Sequence, residues 1–516
     1  GGWYWFDVAA DSEDAVVEAA RWEARVPAET PRGRATIGIT TFNRPTDCAT
    51  VLGQLGASDT LPDVLNEVVV VDQGNRKVVD DDRFPAARKS LGKSLRMIDQ
   101  PNLGGSGGFS RGMYEAMEGG ADYVLLLDDD VRVDPEGIVR AVAFADLSRV
   151  PTIVGGHMFS MYERTSLHAY AEQVQPWRFW WRAVKGTRPD HDLAIAPLRT
   201  TAWLHQRADA DYNGWWMCLI PTSVIRRIGL SLPFFIKWDD SEYGLRARGA
   251  GVPTVSLPGA AVWHVPWTDK DDSLDWQAYF HERNRLVAAL IHSQYKHGGR
   301  VVTESMQGQI KHLLSSQYSV VELRLRAIED ILTGPGHLQA GISTVVPRVR
   351  ALRSEFDDAV VETDPDAFPE VRREKLPRRG EYLGYPKTIV GRIAMAAKGS
   401  VKQVLPVKAM SLEHPEARVP WSQARWWMLS QFDSAIVSNS DGSGASWYHR
   451  DTGRFRQLLA RSIVLHRRLR REWEELHAEY QASVGEVVSP EAWARTFGIA
   501  GGEASGAEVA ATEESR

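Results

Sequence analysis

Short apolar runs alternate with amphipathic stretches through the first half of the chain, and each run closes in a polar or glycine-rich turn. Thr36–Thr41 ends in Phe42-Asn43-Arg44-Pro45, and Val68–Val71 ends in Asp72-Gln73-Gly74. Arg96–Ile98 leads into Pro101-Asn102-Leu103-Gly104-Gly105-Ser106-Gly107-Gly108 and a helix expected from about Phe109. Tyr123–Leu127 ends in three carboxylates, Asp128-Asp129-Asp130. Continuous rather than alternating apolar runs mark strands buried on both faces. Strands and helices alternating in units of about thirty residues predict an α/β fold with a mostly parallel, doubly wound sheet. Asp47 is placed to cap the first helix of that unit.

Further along, Val154-Gly155-Gly156 returns to the sheet, and Tyr212-Asn213-Gly214-Trp215-Trp216 sets two adjacent indoles after a turn. Neighbours on a strand point to opposite faces, which would put one ring in the core and the other toward a cleft, and both rings in the core is an equal alternative on these residues. Phe234–Trp238 leads into Asp239-Asp240, either of which is placed to cap a helix from Glu242 to Ala250. Ala260–Val265 is an apolar strand carrying His264 at its end. From Val301 the spacing turns helical, with one amphipathic helix expected over Leu313–Leu332. Four regions are expected: 1–34, a remnant of an N-terminal β-rich module with a helix from Asp11 to Arg25 capped by Ser12; 35–295, the α/β unit; 296–500, helical; and 501–516, a disordered tail. Gly1 in place of Met, followed directly by Trp3-Tyr4-Trp5-Phe6, reads as a chain whose N-terminal module is largely removed.

Composition changes this picture little. A length of 516 residues calls for two or three domains, and a net charge of −6 argues for no nucleic acid partner. Cys48 and Cys218 are the only cysteines, which fits a reducing compartment. No apolar run reaches the length of a membrane span. The 19 tryptophans are many for this length, and indoles stack well on sugar faces.

The candidate chemistry lies at the strand ends, where an open α/β sheet binds its ligands. Three adjacent acids repel one another unless a cation compensates them, and oxygen ligands on a rigid turn suit a hard divalent ion that also holds phosphates. His264 at another strand end is a third candidate ligand beside Asp128 and Asp130. Arg44 is placed to meet a phosphate, Gln73 and Asn102 to hydrogen-bond a nucleotide, and the 104–108 glycine loop to bring backbone close to a ligand. That loop lacks the lysine of a phosphate-binding P-loop and the spacing of a dinucleotide fingerprint. Asp239 and Asp240 form a second acidic turn, and two carboxylates in one site take different roles as their environments differ.

Taken together, Phe42–Pro45, Asp72–Gly74, Pro101–Gly108, Asp128–Asp130, Tyr212–Trp216, Trp238–Asp240 and Trp263-His264 resemble glycosyltransferase family 2, and within it the polymerising galactofuranosyltransferases of actinobacterial cell-wall galactan synthesis. The resemblance runs from about Thr36 to Arg285 and continues more loosely through Gln423-Ala424-Arg425-Trp426. It implies a GT-A fold, UDP-galactofuranose as donor, a polyprenyl-diphosphate-linked galactan as acceptor, inversion at the anomeric carbon, and alternating β(1→5) and β(1→6) linkages. Carried over by position, it implies Mn²⁺ or Mg²⁺ on Asp128, Asp130 and His264, with Asp240 as the general base. It implies donor contacts from Phe42, Arg44, Gln73, Asn102, Asp128 and Asp129, and acceptor contacts from Phe109, His168, Glu172, Trp215, Trp216, Asp239 and His281. Phe109 stands where the family has Tyr, which removes a hydroxyl. A homotetramer at the cytoplasmic face of the plasma membrane is also implied. A related transferase for another nucleotide sugar and a non-catalytic glycan-binding module are the alternatives, and the intact acids argue against the second.

Between Glu370 and Lys408 ten basic residues (Arg372, Arg373, Lys375, Arg378, Arg379, Lys387, Arg392, Lys398, Lys402, Lys408) are interleaved with Tyr382, Tyr385, Ile389, Val390, Ile393 and Met395. This composition suits contact with an anionic lipid surface. Arg461–Arg471 is a second basic helix.

Overall fold

The computed structural model describes residues 5–19, 23, 25–30, 32–206, 208–267, 272–371 and 386–499. The α/β unit runs β1 (Ala35–Thr41), α1 (Pro45–Gly56), β2 (Leu65–Asp72), α2 (Phe84–Leu91), β3 (Leu95–Asp99), α3 (Gly104–Glu118), β4 (Tyr123–Asp128), β5 (Arg132–Val133), α4 (Pro135–Asp146) and β6 (Ile153–Ser160). Short strands follow: β7 (Ser166–Ala169), β8 (Glu172–Gln175), β9 (Trp180–Ala183), β10 (His191–Asp192) and β11 (Asp209–Ala210). Then come β12 (Met217–Pro221), α5 (Thr222–Ile228), α6 (Asp239–Gly249), β13 (Thr254–His264) and α7 (Ala278–His292).

The sheet is ordered β10-β7-β6-β12-β4-β1-β2-β3, with β13 along the other side of β6. β1, β2, β3 and β4 pair in parallel, β13 is parallel to β6, and β12 runs antiparallel between β4 and β6. β4 lies at the centre, and Val124–Leu127 are wholly buried. Its alternation splits two cores: Leu125 and Leu127 pack with Leu52, Ile138 and Val142 of α1 and α4, while Val124 and Leu126 pack with Met113, Val224 and Phe280 of α3, α5 and α7. Deep burial on both faces explains the unbroken apolar run, and the parallel neighbours put Thr41, Asp72 and Asp128 at one edge.

The second half is helical: α8 (Val301–Leu314), α9 (Tyr318–Ile331), α10 (Gly336–Ala340), α11 (Val345–Ser354), α12 (Ile389–Val404) and α13 (Ala409–Glu413). A three-stranded sheet of β14 (Arg418–Val419), β15 (Ser434–Ser438) and β16 (Ala445–His449) includes the one-turn α14 (Trp426–Leu429). α15 (Thr452–Arg471), α16 (Trp473–Val487) and α17 (Pro490–Phe497) close the described chain. α7 joins the halves, because its Leu286–Ile291 face shares a core with Val321 and Leu325 of α9 and Leu469 of α15.

Several expectations give way here. Residues 11–19 form no helix, and exposed Trp5 instead lies 5.3 Å from the Arg199 guanidinium while Asp7 pairs with Arg199. Asp47 does not cap α1: the helix starts at Pro45, and Asp47 sits in its first turn, where negative charge meets the positive helix end. Leu313–Leu332 is broken at Ser315-Ser316-Gln317, with Ser316 left-handed at φ 57°. Neither Asp239 nor Asp240 caps α6; Trp238 does so with φ 71°, and the two acids are the first helical residues. Within the basic stretch, Lys402 turns inward to Asp433 at 3.0 Å, and Arg461 of the second basic helix pairs with Glu322 and Glu329. Arg372, Arg373, Lys375, Arg378, Arg379, Tyr382 and Tyr385 lie outside the described residues, as does the 501–516 tail.

Candidate active site

β4 and β13 deliver three ligand groups to one point. Asp128 closes β4, Asp130 follows in the turn, and His264 closes β13, with their ligand atoms all within 4.8 Å of one another. His264 Nδ1 lies 2.6 Å from the Val265 carbonyl and must donate to it, so the neutral ring carries its lone pair on Nε2. That nitrogen stands 3.1 Å from Asp130 Oδ1 and 3.7 Å from Asp128 Oδ2. A lone pair so close to two carboxylates calls for a proton or a cation between them. Two oxygens and one imidazole on one side, with Asp128 a third exposed, fit a divalent ion that keeps positions for phosphate oxygens. Arg44 caps α1 and sets its guanidinium against Asp130. Asp129 points back into the protein, and burial, aided by Asp130, pushes its carboxyl up to about 8.

Beside this cluster a cavity of about 590 Å³ opens at the ends of β1, β2 and β3, lined by Phe42, Asn43, Gln73, Lys77, Asp99 and Gln100. Phe42 is half exposed and offers a ring face. Gln73 lines the cavity with both ends of its amide already engaged: Nε2 donates to Gly104 O at 3.0 Å, and Oε1 accepts from Leu103 N at 2.8 Å and Gln100 Nε2 at 3.1 Å. Asn102 Oδ1 accepts from Gly104 N.

The glycine run is not the expected loop. α3 begins at Gly104, so 104–108 is its first turn and a half. Gly104 has φ 71°, and a Cβ there would stand 2.1 Å from Phe235 O; the backbone that needs closeness is the 235 loop. Phe109 therefore falls in the second turn of α3 and is buried, edge-on to Trp215 at 5.4 Å. Trp215 and Trp216 do take opposite sides of the sheet, but both rings are core. Their residues precede β12 in a tight turn, and Trp216 Nε1 donates to Gly156 O at 2.8 Å.

Asp239 and Asp240 arrive at the start of α6 from a loop in which Phe235, Lys237 and Trp238 all have left-handed φ near 70°. Such backbone costs about 1–2 kcal/mol per residue and needs outside support. Burial raises both carboxyls above their ordinary range, Asp239 further because Asp240 adds its charge, and Asp240 to about 6. Glu172, bridged to Tyr212 across the strands, is pushed to about 8 by burial and then by Asp240. Burial drives His281 down to about 3, and its ring lies 5.9 Å from Trp181.

A second cavity, about 240 Å³, is lined by His168, Tyr170, Glu172, Trp181, Arg182 and Trp267 among others. His168 Nδ1 bonds Asp190 at 2.5 Å, and Trp267 packs edge-on to the His168 ring at 5.1 Å. His168, Glu172 and His281 are thus gathered around Trp181, which also packs at a tilt against Trp238, ring centroids 4.9 Å apart. Trp181 and Trp267 were missing from the sequence expectation. Trp267 had a signal, since it follows His264 by three residues. Trp181 had only an aromatic-rich neighbourhood.

The chain from 31 to 289 matches the family described as glycosyltransferase like family 2, and 301 to 499 matches galactofuranosyltransferase-2, domain 3. Galactofuranosyltransferase GlfT2 of Mycobacterium tuberculosis is 39% identical over 504 residues, spanning 96% of this chain and 77% of its own length. The GlfT2 of Mycolicibacterium smegmatis is 39% identical over 502 residues, spanning 96% and 76%. Galactofuranosyltransferase GlfT1 of Mycobacterium tuberculosis is 39% identical over 264 residues, 50% of this chain and 74% of its own.

Proposed function

The chain belongs to the GlfT2 galactofuranosyltransferase family, a glycosyltransferase of family 2, and from that premise we propose that it elongates galactan by transferring galactofuranose from UDP-galactofuranose to a lipid-linked galactan acceptor. The observation that carries the reading is the meeting of Asp128, Asp130 and His264 at one point, with Asp240 close enough to feel the charge of Asp128.

On this reading the uridine lies in the cavity between Phe42 and Gln100, and the diphosphate reaches Arg44 and the Asp128–Asp130–His264 cluster. Asp128, Asp130 and His264 would hold a divalent ion, Mn²⁺ or Mg²⁺, and that ion would supply charge neutralisation for the departing diphosphate in place of a general acid. The acceptor sits in the cavity walled by His168, Glu172, Trp181 and Trp267. Asp240 takes the proton of the acceptor hydroxyl as its oxygen bonds the anomeric carbon, and UDP leaves from the opposite face, inverting the centre. Asp239 and Glu172, with carboxyls raised to about 8, stay protonated at neutral pH and hydrogen-bond sugar hydroxyls as donors. Alternating β(1→5) and β(1→6) linkages from one site follow if the acceptor end can present either hydroxyl to Asp240.

α12 supports a membrane-side placement. Ile389, Val390 and Ile393 are 64–76% exposed beside Lys387 and Arg392. No described helix is long and apolar enough to cross a membrane. The proposed placement is peripheral, at the cytoplasmic face, with a homotetramer as the assembly, as the family resemblance implies.

The test is transfer from UDP-galactofuranose to a synthetic galactofuranosyl trisaccharide, with and without Mn²⁺, for the parent chain and for Asp240→Ala. Metal-dependent elongation is expected, with at least a hundredfold loss in the variant and UDP binding kept. Tight UDP binding with no transfer by the parent chain refutes the donor assignment; full activity of Asp240→Ala refutes the base.

A further inference from the structure

The two acids of α6 inherit their position from the loop before them, and that loop is held from two sides. On α7, Asn284 is fully buried, and its Nδ2 lies 3.1 Å from Phe234 O, 2.8 Å from Ile236 O and 2.8 Å from Lys237 O. Its two amide hydrogens thus serve three carbonyls of the loop. The amide cannot flip, because Oδ1 accepts from Arg283 Nε at 2.7 Å. Arg283 in turn donates to Phe234 O at 2.7 Å and lies over the rings of Tyr279 and Phe280. On the other side, Ser106 of α3 accepts from Phe235 N through Oγ at 2.8 Å and donates its own N–H to Phe235 O at 3.2 Å. Between these anchors lie the left-handed residues Phe235, Lys237 and Trp238, a backbone that persists only while its surroundings over-determine it.

We propose that Asn284 is a positioning residue for glycosyl transfer: by gripping the carbonyls of Phe234, Ile236 and Lys237 it sets the loop that presents Asp240 to the acceptor hydroxyl. The inference rests on the reading of Asp240 as the base. Asn284 lies one turn beyond His281 on α7 and lines neither of the two cavities. Removing its side chain takes the Asn284 donor from the part-buried carbonyls of Ile236 and Lys237 and frees the loop to relax toward ordinary backbone angles, which carries the carboxylate with it. A displacement of about 1 Å at a reacting group costs on the order of a hundredfold in rate.

The test uses the full chain with Asn284→Ala, Asp240→Ala and the double variant, measuring kcat, the donor KM, UDP affinity with Mn²⁺ by calorimetry, and the melting transition. Asn284→Ala is expected to lower kcat at least thirtyfold while donor KM and UDP affinity stay within twofold. In the Asp240→Ala background the same change is expected to remove less than threefold of the residual rate, because the group it positions is gone. A full further loss in the double variant, an unchanged kcat, or a fall in UDP affinity in step with kcat overturns the proposal. Full activity of Asp240→Ala alone instead overturns the base assignment, so the two failures are told apart. Should Asn284→Ala not fold, Ser106→Ala removes the opposite anchor with the loss of one oxygen. It is expected to lower kcat at least threefold with UDP affinity kept, and an unchanged kcat there overturns the proposal.

Discussion

Glu242 offers the sharpest stability prediction. Its carboxylate is completely buried one turn into α6, 3.0 Å from Arg246 and 3.0 Å from His292 Nε2. Burial alone would raise its pKa, but Arg246 and then His292 overturn that and hold it at about 2 against an ordinary 4.5. At about 1.4 kcal/mol per pKa unit this depression is worth roughly 3 kcal/mol, in line with the several kcal/mol lost when one member of a buried pair is removed. Because the folded-state pKa is the lower one, the stabilisation is fully present above pH 4.5 and is lost as pH falls toward 2. Glu242→Gln keeps the shape and removes the charge. An unfolding entropy of about 2.1 cal/mol/K per residue over 516 residues converts the loss into a fall of about 3 °C in Tm if the chain melts as one unit. The assay is a melt followed by tryptophan fluorescence at neutral pH and again near pH 3. The variant should melt lower at neutral pH, with the gap shrinking in acid. A gap below 1 °C at neutral pH, or one that grows in acid, would refute the ion-pair account.

Two further predictions concern catalysis. His264→Ala should weaken Mn²⁺-dependent UDP binding at least tenfold and leave Tm of the metal-free protein nearly unchanged; equal affinity with and without the imidazole would remove it from the metal site. Because burial raises Asp240 to about 6 and only its ionised form can accept a proton, kcat/KM should be flat above that pH and fall tenfold per unit below it. A limb at the ordinary carboxylate pKa would mean that another group sets the rate.

The sheet was legible because its signal is redundant: strands buried on both faces leave runs such as Val124–Leu127 that no surface helix would carry, and each ends where the sheet ends. The meeting of Asp128, Asp130 and His264, a candidate metal site, could be read for the same reason, since Asp128 and His264 both occupy strand termini at one edge. Elements governed by backbone geometry were not legible. Glycines usually break helices, yet here they open α3 because Phe235 O approaches so closely that nothing larger than hydrogen fits at Gly104. The left-handed angles at Phe235, Lys237 and Trp238 contradict local preference and are imposed by Asn284 and Ser106 from distant helices. Phe109 and the paired indoles could not be assigned from sequence for a related reason, as sugar-binding rings and core rings have the same composition and only packing separates them.

Only two residues separate His264 from Trp267, yet the first belongs to the candidate metal site and the second walls the neighbouring cavity. A shift of His264 toward Asp130 would be passed along that short backbone to Trp267, which would couple occupancy at the two places. Such coupling is reciprocal by thermodynamic necessity: whatever factor a bound nucleotide–metal complex gains for the incoming sugar chain, the sugar chain returns to it. In an enzyme that must reload donor after every addition, that reciprocity would keep the growing polymer engaged while UDP is exchanged.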